Sequence, residues 1–136
     1  MPVIPFFSPL LLFFPLLSLL TLMPQSFAIP QSDIIRHVVC FKFKKDAKES
    51  DIKRVEKEFA SLKEKISGIE SLEWGTNNSP ENLNKDFTHC FIVTFANAKA
   101  REIYLPHPEH QAFVSILKPI LDDAFVIDFT PNSLFP

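Results

Sequence analysis

Tyr104, His107, Glu109 and His110 fall within seven residues, crowded around Pro106 and Pro108. An imidazole titrates near neutral pH and a phenol donates a hydrogen bond, so His110 and Tyr104 have the types needed for a base and its partner. On an unbroken helix the two side chains, six positions apart, would point to roughly opposite sides. The prolines prevent that. Pro106 cannot continue the hydrogen-bond ladder and is expected to push Leu105 out of the α region, whereas Pro108 suits the first turn of a new helix. The segment therefore reads as helix, elbow, helix, with the elbow able to aim a phenol and an imidazole at one place. His107 reads as a cap or surface residue, and Glu109 as a first-turn carboxylate that favours the helix dipole.

The elements that must position this elbow follow from periodicity. Residues 34–44, IIRHVVCFKFK, read as a strand with His37, Val39, Phe41 and Phe43 on one face and Val38 and Cys40 on the other. Ile52, Val55, Phe59, Leu62 and Ile66 form the apolar stripe of a helix over 50–66, with Ser50 as N-cap and Gly68 as the residue past its end. A short, imperfectly alternating strand over 69–75 precedes a loop rich in Asn and Pro at 76–85. Residues 87–95, FTHCFIVTF, alternate strongly, with Phe87, His89, Phe91, Val93 and Phe95 on one face. After the helix pair, 124–130 reads as the last strand. The order β-α-β-β-α-β is that of an α+β, ferredoxin-like fold, whose first and third strands are central and whose helices share one face. His37 and His89 are then expected to meet Tyr104 and His110 on that face. The uncovered sheet face, with Val38, Cys40, Ile92, Thr88 and Thr94, calls for a partner, and two such sheets packed together make a dimeric barrel.

Composition narrows the classes. Lys and Arg number 14 against 16 Asp and Glu, a net charge of −2 with no basic stripe, so nucleic acid is not an expected partner. Residues 1–32 carry none of the 30 charged side chains. Residues 1–28, with an apolar run over 6–23 and small residues before a cut after Ala28, read as a cleavable signal peptide, which places the product in the secretory pathway or outside the cell. The alternatives are a membrane anchor, and a cytosolic protein whose start codon lies further on, since no Lys or Arg precedes the apolar run. Contact with a membrane is expected only through this segment. Cys40 and Cys90 are too few for a disulfide framework; a bridge in an oxidising lumen is one reading and two buried free thiols the expected one. Nothing has the spacing of a metal site, and no cofactor is expected.

With these pieces in place, the chain resembles the stress-response A/B barrel domain family over residues 34–131. The most specific matches are RHVVCFKFK, EWGTN at 73–77, FTHCFIVTF, YLPHPEH at 104–110 and VIDFTP at 126–131. The resemblance implies a dimeric α/β barrel that self-associates through the open sheet face and takes a hydrophobic small molecule in an apolar pocket. The polyketide cyclases of the family place catalytic residues at positions that fall on His37, His89, Tyr104 and His110. An apolar pocket beside them is expected to be lined by Val39, Phe41, Phe59, Leu72, Phe91, Phe113, Ile116 and Val126. Glu56 and Phe59 depart from the aromatic residue and the tyrosine that shape the cyclase pocket. The expected function is thus a homodimeric stress-response protein with a small-molecule pocket. The alternative is a cyclase that closes a linear poly-β-keto chain by aldol condensation, with His110 as base and Tyr104 as donor. The strand histidines equally suit a structural role, bonded to one another or to Tyr104 in the core.

Overall fold

Residues Ile35–Phe43 form strand β1, β-branched and aromatic side chains giving it two apolar faces. The computed structural model describes residues 1–3 and 33–132, so the signal segment expected at 1–28 lies, after its first three residues, outside the described residues. Helix α1 (Glu49–Lys65) follows, then β2 (Ile69–Thr76), β3 (His89–Phe95), α2 (Ala98–Tyr104), α3 (Pro108–Leu117) and β4 (Leu121–Phe129). The strands form one antiparallel sheet in the order β2-β3-β1-β4, the ferredoxin-like arrangement, with the second helix of the pattern divided in two. Among the described residues no helix is long and apolar enough to cross a membrane.

The core lies between the helices and one sheet face. Val55, Phe59, Leu62 and Ile66 of the α1 stripe are buried against Val39, Phe41, Phe91, Val93 and Phe95. The imperfect alternation of β2 has a cause: the register shifts between Ile69 and Ser71, so Ile69, Leu72 and Trp74 all oppose helix-facing residues of β3. A bulge adds one residue and restores the face. Ser50 is not the cap of α1, since Lys48 holds that position without a side-chain bond.

Phe87 also departs from expectation. The backbone turns through positive φ at Lys85 and Asp86, β3 begins only at His89, and Phe87 lies against Phe125 on the outer sheet face, their rings 6.4 Å apart. Alternation carries no information across such a turn.

The return from α1 to β2 depends on Gly68, whose φ is +93° and whose absent Cβ would stand 2.8 Å from the Cβ of Ala100. Backbone strain and overpacking act together there. Gly68→Ala is expected to destabilise the fold by about 3 kcal/mol in denaturant unfolding. Gly75→Ala, with nothing within 4 Å of its new carbon, should stay within roughly 0.5 kcal/mol; equal effects would show that Gly68 is not a packing constraint.

Candidate functional site

The helices on both sides of the elbow each begin at a side-chain cap. Asn97 starts α2 by accepting from the Ala100 amide at 2.9 Å, and His107 starts α3 by accepting from the Glu109 amide at 3.2 Å through Nδ1. Pro108 takes the first turn of α3, where a missing amide costs nothing. Leu105, expected outside the α region, keeps helical angles. Its amide bonds the Arg101 carbonyl at 3.1 Å, and the His107 amide bonds the Tyr104 carbonyl at 3.0 Å. These bonds outweigh the bias that a following proline exerts.

The bend leaves the Leu105 carbonyl free of a helix and turned towards α3. His110 Nδ1 lies 2.9 Å from it, and Gln111 Nε2 donates to the same oxygen at 2.9 Å. A carbonyl only accepts, so His110 carries its proton on Nδ1 and leaves a lone pair on Nε2. Burial lowers the His110 pKa below its usual 6.5; the Leu105 carbonyl bond opposes that shift, and His37 and His107 add smaller lowering. This imidazole is therefore neutral at neutral pH.

The His110 ring sits 4.2 Å from the ring of Tyr104, which is only 1% exposed. Burial pushes the Tyr104 phenol upward, so it remains a proton donor. Its hydroxyl is the one buried side-chain polar atom among the described residues that has no hydrogen-bond partner. On the other side stands His37 of β1, its ring 6.0 Å from that of Tyr104. His37 Nδ1 lies 2.6 Å from one oxygen of Asp128, and Arg101 donates to the other oxygen at 2.8 Å. A carboxylate accepts only, so this pairing holds the His37 proton on Nδ1 and fixes the ring. Arg101, Asp128, His37, Tyr104 and His110 thus form one cluster drawn from α2, β4, β1, the elbow and α3.

His89 is not in it. In the antiparallel register His37 opposes Val93, whereas His89 opposes Phe41, four residues further along β1. At about 3.3 Å per residue the two positions are ~13 Å apart, although they share a face. His89 Nε2 instead bonds buried Glu56 at 3.0 Å, and its Nδ1 meets Thr88 Oγ1 at 2.8 Å. Lys53 completes the arrangement at 3.3 Å from Glu56. This second cluster neutralises a carboxylate that α1 turns towards the sheet.

Several of the residues expected to line an apolar pocket pack on one another. Phe59 stacks on Phe91 at 4.2 Å and packs on Phe113 at 4.6 Å, while Phe41 contacts Phe91 at 5.4 Å. With Val39 they form solid core. Leu72 and Ile116 lie at the margin of that core, and Val126, on the edge strand, is half exposed. Six-membered rings in these numbers interlock rather than enclose a chamber. A cleft of about 680 Å³ does exist, but on the outer face beneath the loop before β3, and of the four candidate residues only His89 borders it. The open volume thus lies apart from Tyr104, His110 and His37, which meet at the elbow.

Sequence reasoning missed Asp128 and Arg101. The signal for Asp128 was a charge at a helix-facing position, the parity of Val126, in the run 124–129 whose other residues are apolar. For Arg101 there was none, since a charge near the end of an exposed helix is ordinary.

Comparison with known proteins gives a consistent result. Residues 35–131 match the stress responsive A/B barrel domain. The chain is 34% identical over 100 residues to the stress-response A/B barrel domain-containing protein HS1 of Arabidopsis thaliana, covering 74% of this chain and 92% of that protein. It is 25% identical over 98 residues to olivetolic acid cyclase of Cannabis sativa, covering 72% and 97% respectively. Among solved structures, a dimeric ferredoxin-like protein of unknown function from Bacteroides fragilis superposes with a TM-score of 0.61 at 26% identity, over 74% of this chain and 99% of that one. Domain match, relatives and topology agree: the chain belongs to the stress-responsive A/B barrel domain family.

Proposed function

We propose that this protein is a self-associating stress-response A/B barrel protein whose elbow binds an oxygen-bearing small molecule, with the Tyr104 hydroxyl donating to that oxygen. The observation that carries this reading is the orphaned phenol. A buried hydroxyl without a partner costs about 1–3 kcal/mol. A ligand carbonyl in the same place would remove that cost and turn it into affinity. Self-association is supported by the exposed Phe125, Ile127 and Phe129 on the outer face and by the dimeric state of similar structures. A part in stress responses is supported by the family to which the chain belongs.

Tyr104→Phe tests the ligand reading, because it removes the hydroxyl and keeps the ring. The unliganded variant should be as stable as the parent or more so, while affinity for a linear 1,3-diketone probe falls about tenfold, a difference of ~1.4 kcal/mol by titration calorimetry. Unchanged affinity would end the reading. Loss of stability would show that the hydroxyl already has a partner in the free protein.

A second reading, ring closure, is favoured by the state of His110. Its free Nε2 would take a proton from the carbon between two carbonyls of a linear poly-β-keto chain. The resulting enolate carbon attacks a distant ketone carbon, and a new carbon–carbon bond forms. Tyr104 donates to the ketone oxygen as it becomes an alkoxide, and the His110 imidazolium then returns its proton to that oxygen. His37, fixed by Asp128, would orient the chain. The likeness to a protein named as a cyclase supports this reading.

A further inference from the structure

We infer that Cys40 and Cys90 are a redox pair that closes into an internal disulfide between the two central strands. The two residues are direct partners in the antiparallel register of β1 and β3. Such partners have Cα atoms about 4.5–5.5 Å apart, inside the ~4.4–6.8 Å range of disulfides. Their side chains share the outer face, and the neighbouring Cys90 thiol helps to raise the pKa of Cys40. Cβ atoms of opposed residues stand about 4.5–5.5 Å apart against ~3.5–4.5 Å in a disulfide, so the strands must draw together slightly. Slack is at hand: the β1–β4 register shifts at Lys42/Phe43, and the chain entering β3 is irregular at Lys85 and Asp86.

Both thiols are free and half-buried, and in the single chain both border the cleft of about 680 Å³, where a small-molecule disulfide can reach them before copies join. The oxidant is that disulfide. One thiolate attacks it and releases one small thiol, leaving a mixed disulfide on the protein. The second cysteine then displaces the second small thiol, so two protein thiols are oxidised and one small disulfide is reduced to two thiols. Burial and the neighbouring Cys90 thiol push the Cys40 thiol up to about 11, which makes exchange on the folded chain slow.

The test is to refold the full chain in oxidised and reduced glutathione, and in parallel to expose the folded chain to the same mixture. The expected product of refolding is a single chain lighter by two hydrogen atoms, with peptides containing Cys40 and Cys90 joined. Its thermal midpoint should rise by more than about 5 °C and return on reduction. Cys40→Ser and Cys90→Ser should each abolish that rise. Two free thiols after refolding, a stable glutathione adduct on the parent protein, or chains linked to one another would each overturn the inference.

Discussion

If the elbow closes rings, His110→Gln is expected to lower turnover of a linear poly-β-keto substrate by about 10²–10⁴-fold, the range for loss of a general base. Glutamine keeps a donor near the Leu105 carbonyl, and Gln111 already bonds that oxygen, so the elbow should keep its shape. What disappears is the lone pair on Nε2. The fall should therefore appear in kcat, with KM little changed, because the base acts in the transition state. The pH profile gives an independent check. Burial holds the His110 pKa below 6.5 in the folded chain, so activity should persist through pH 6.5 and decline only at lower pH, where Nε2 takes up a proton. Stability follows the same sign. Below pH 6.5 the unfolded chain binds more protons at this residue than the folded one, so folding weakens as pH falls. His110→Gln should remove that part of the acid-side loss. Turnover equal to the parent's would eliminate His110 as the base yet leave the binding role of Tyr104 standing, because that role needs no proton transfer.

The split between what the chain declares locally and what only folding reveals is visible in this cluster. The elbow was legible from Pro106 and Pro108, whose effect on the backbone is intrinsic, and from Tyr104 and His110 at a fixed short separation. The helices and strands were legible because a period of 3.6 or 2 is imposed by the element itself. His37 and Asp128, by contrast, lie 91 residues apart. Their meeting depends on the register of β1 against β4, which no local pattern specifies. His89 shows the same limit in reverse. Parity correctly put it on the face of His37, but face and position along the strand are different coordinates, and the second is set by where the chain leaving the 77–88 loop regains its pairing. Whether inward-facing aromatic residues enclose a chamber is a matter of packing, which no local pattern specifies. A list of inward-facing aromatic residues describes a pocket and a filled core equally well, and Phe41, Phe59, Phe91 and Phe113 have the combined bulk to fill the space.

The outer sheet face carries the other large expected effect. Phe125, Ile127 and Phe129 are 48–50% exposed on it, beside the half-buried Val38, Cys40 and Ile92. Apolar surface of this extent on a twisted sheet is stabilised by a second sheet at about 10 Å. If two copies meet there around a two-fold axis, every substitution enters the interface twice. Ile127→Asp would bury two carboxylates without partners, and the dissociation constant of the dimer should rise by at least a thousandfold, ~4 kcal/mol at the interface. Each subunit should still fold, because Ile127 points away from the core on the helix side and opposes Val38 across β1. Sedimentation equilibrium reads the assembly, and thermal unfolding at matched concentration reads the fold. Lys99→Asp, at a strongly exposed site on α2, serves as the charge control and should leave the dimer intact. A parent chain that sediments as one subunit at tens of micromolar, or an Ile127→Asp variant that remains paired, would show that the outer face is not the surface through which copies join.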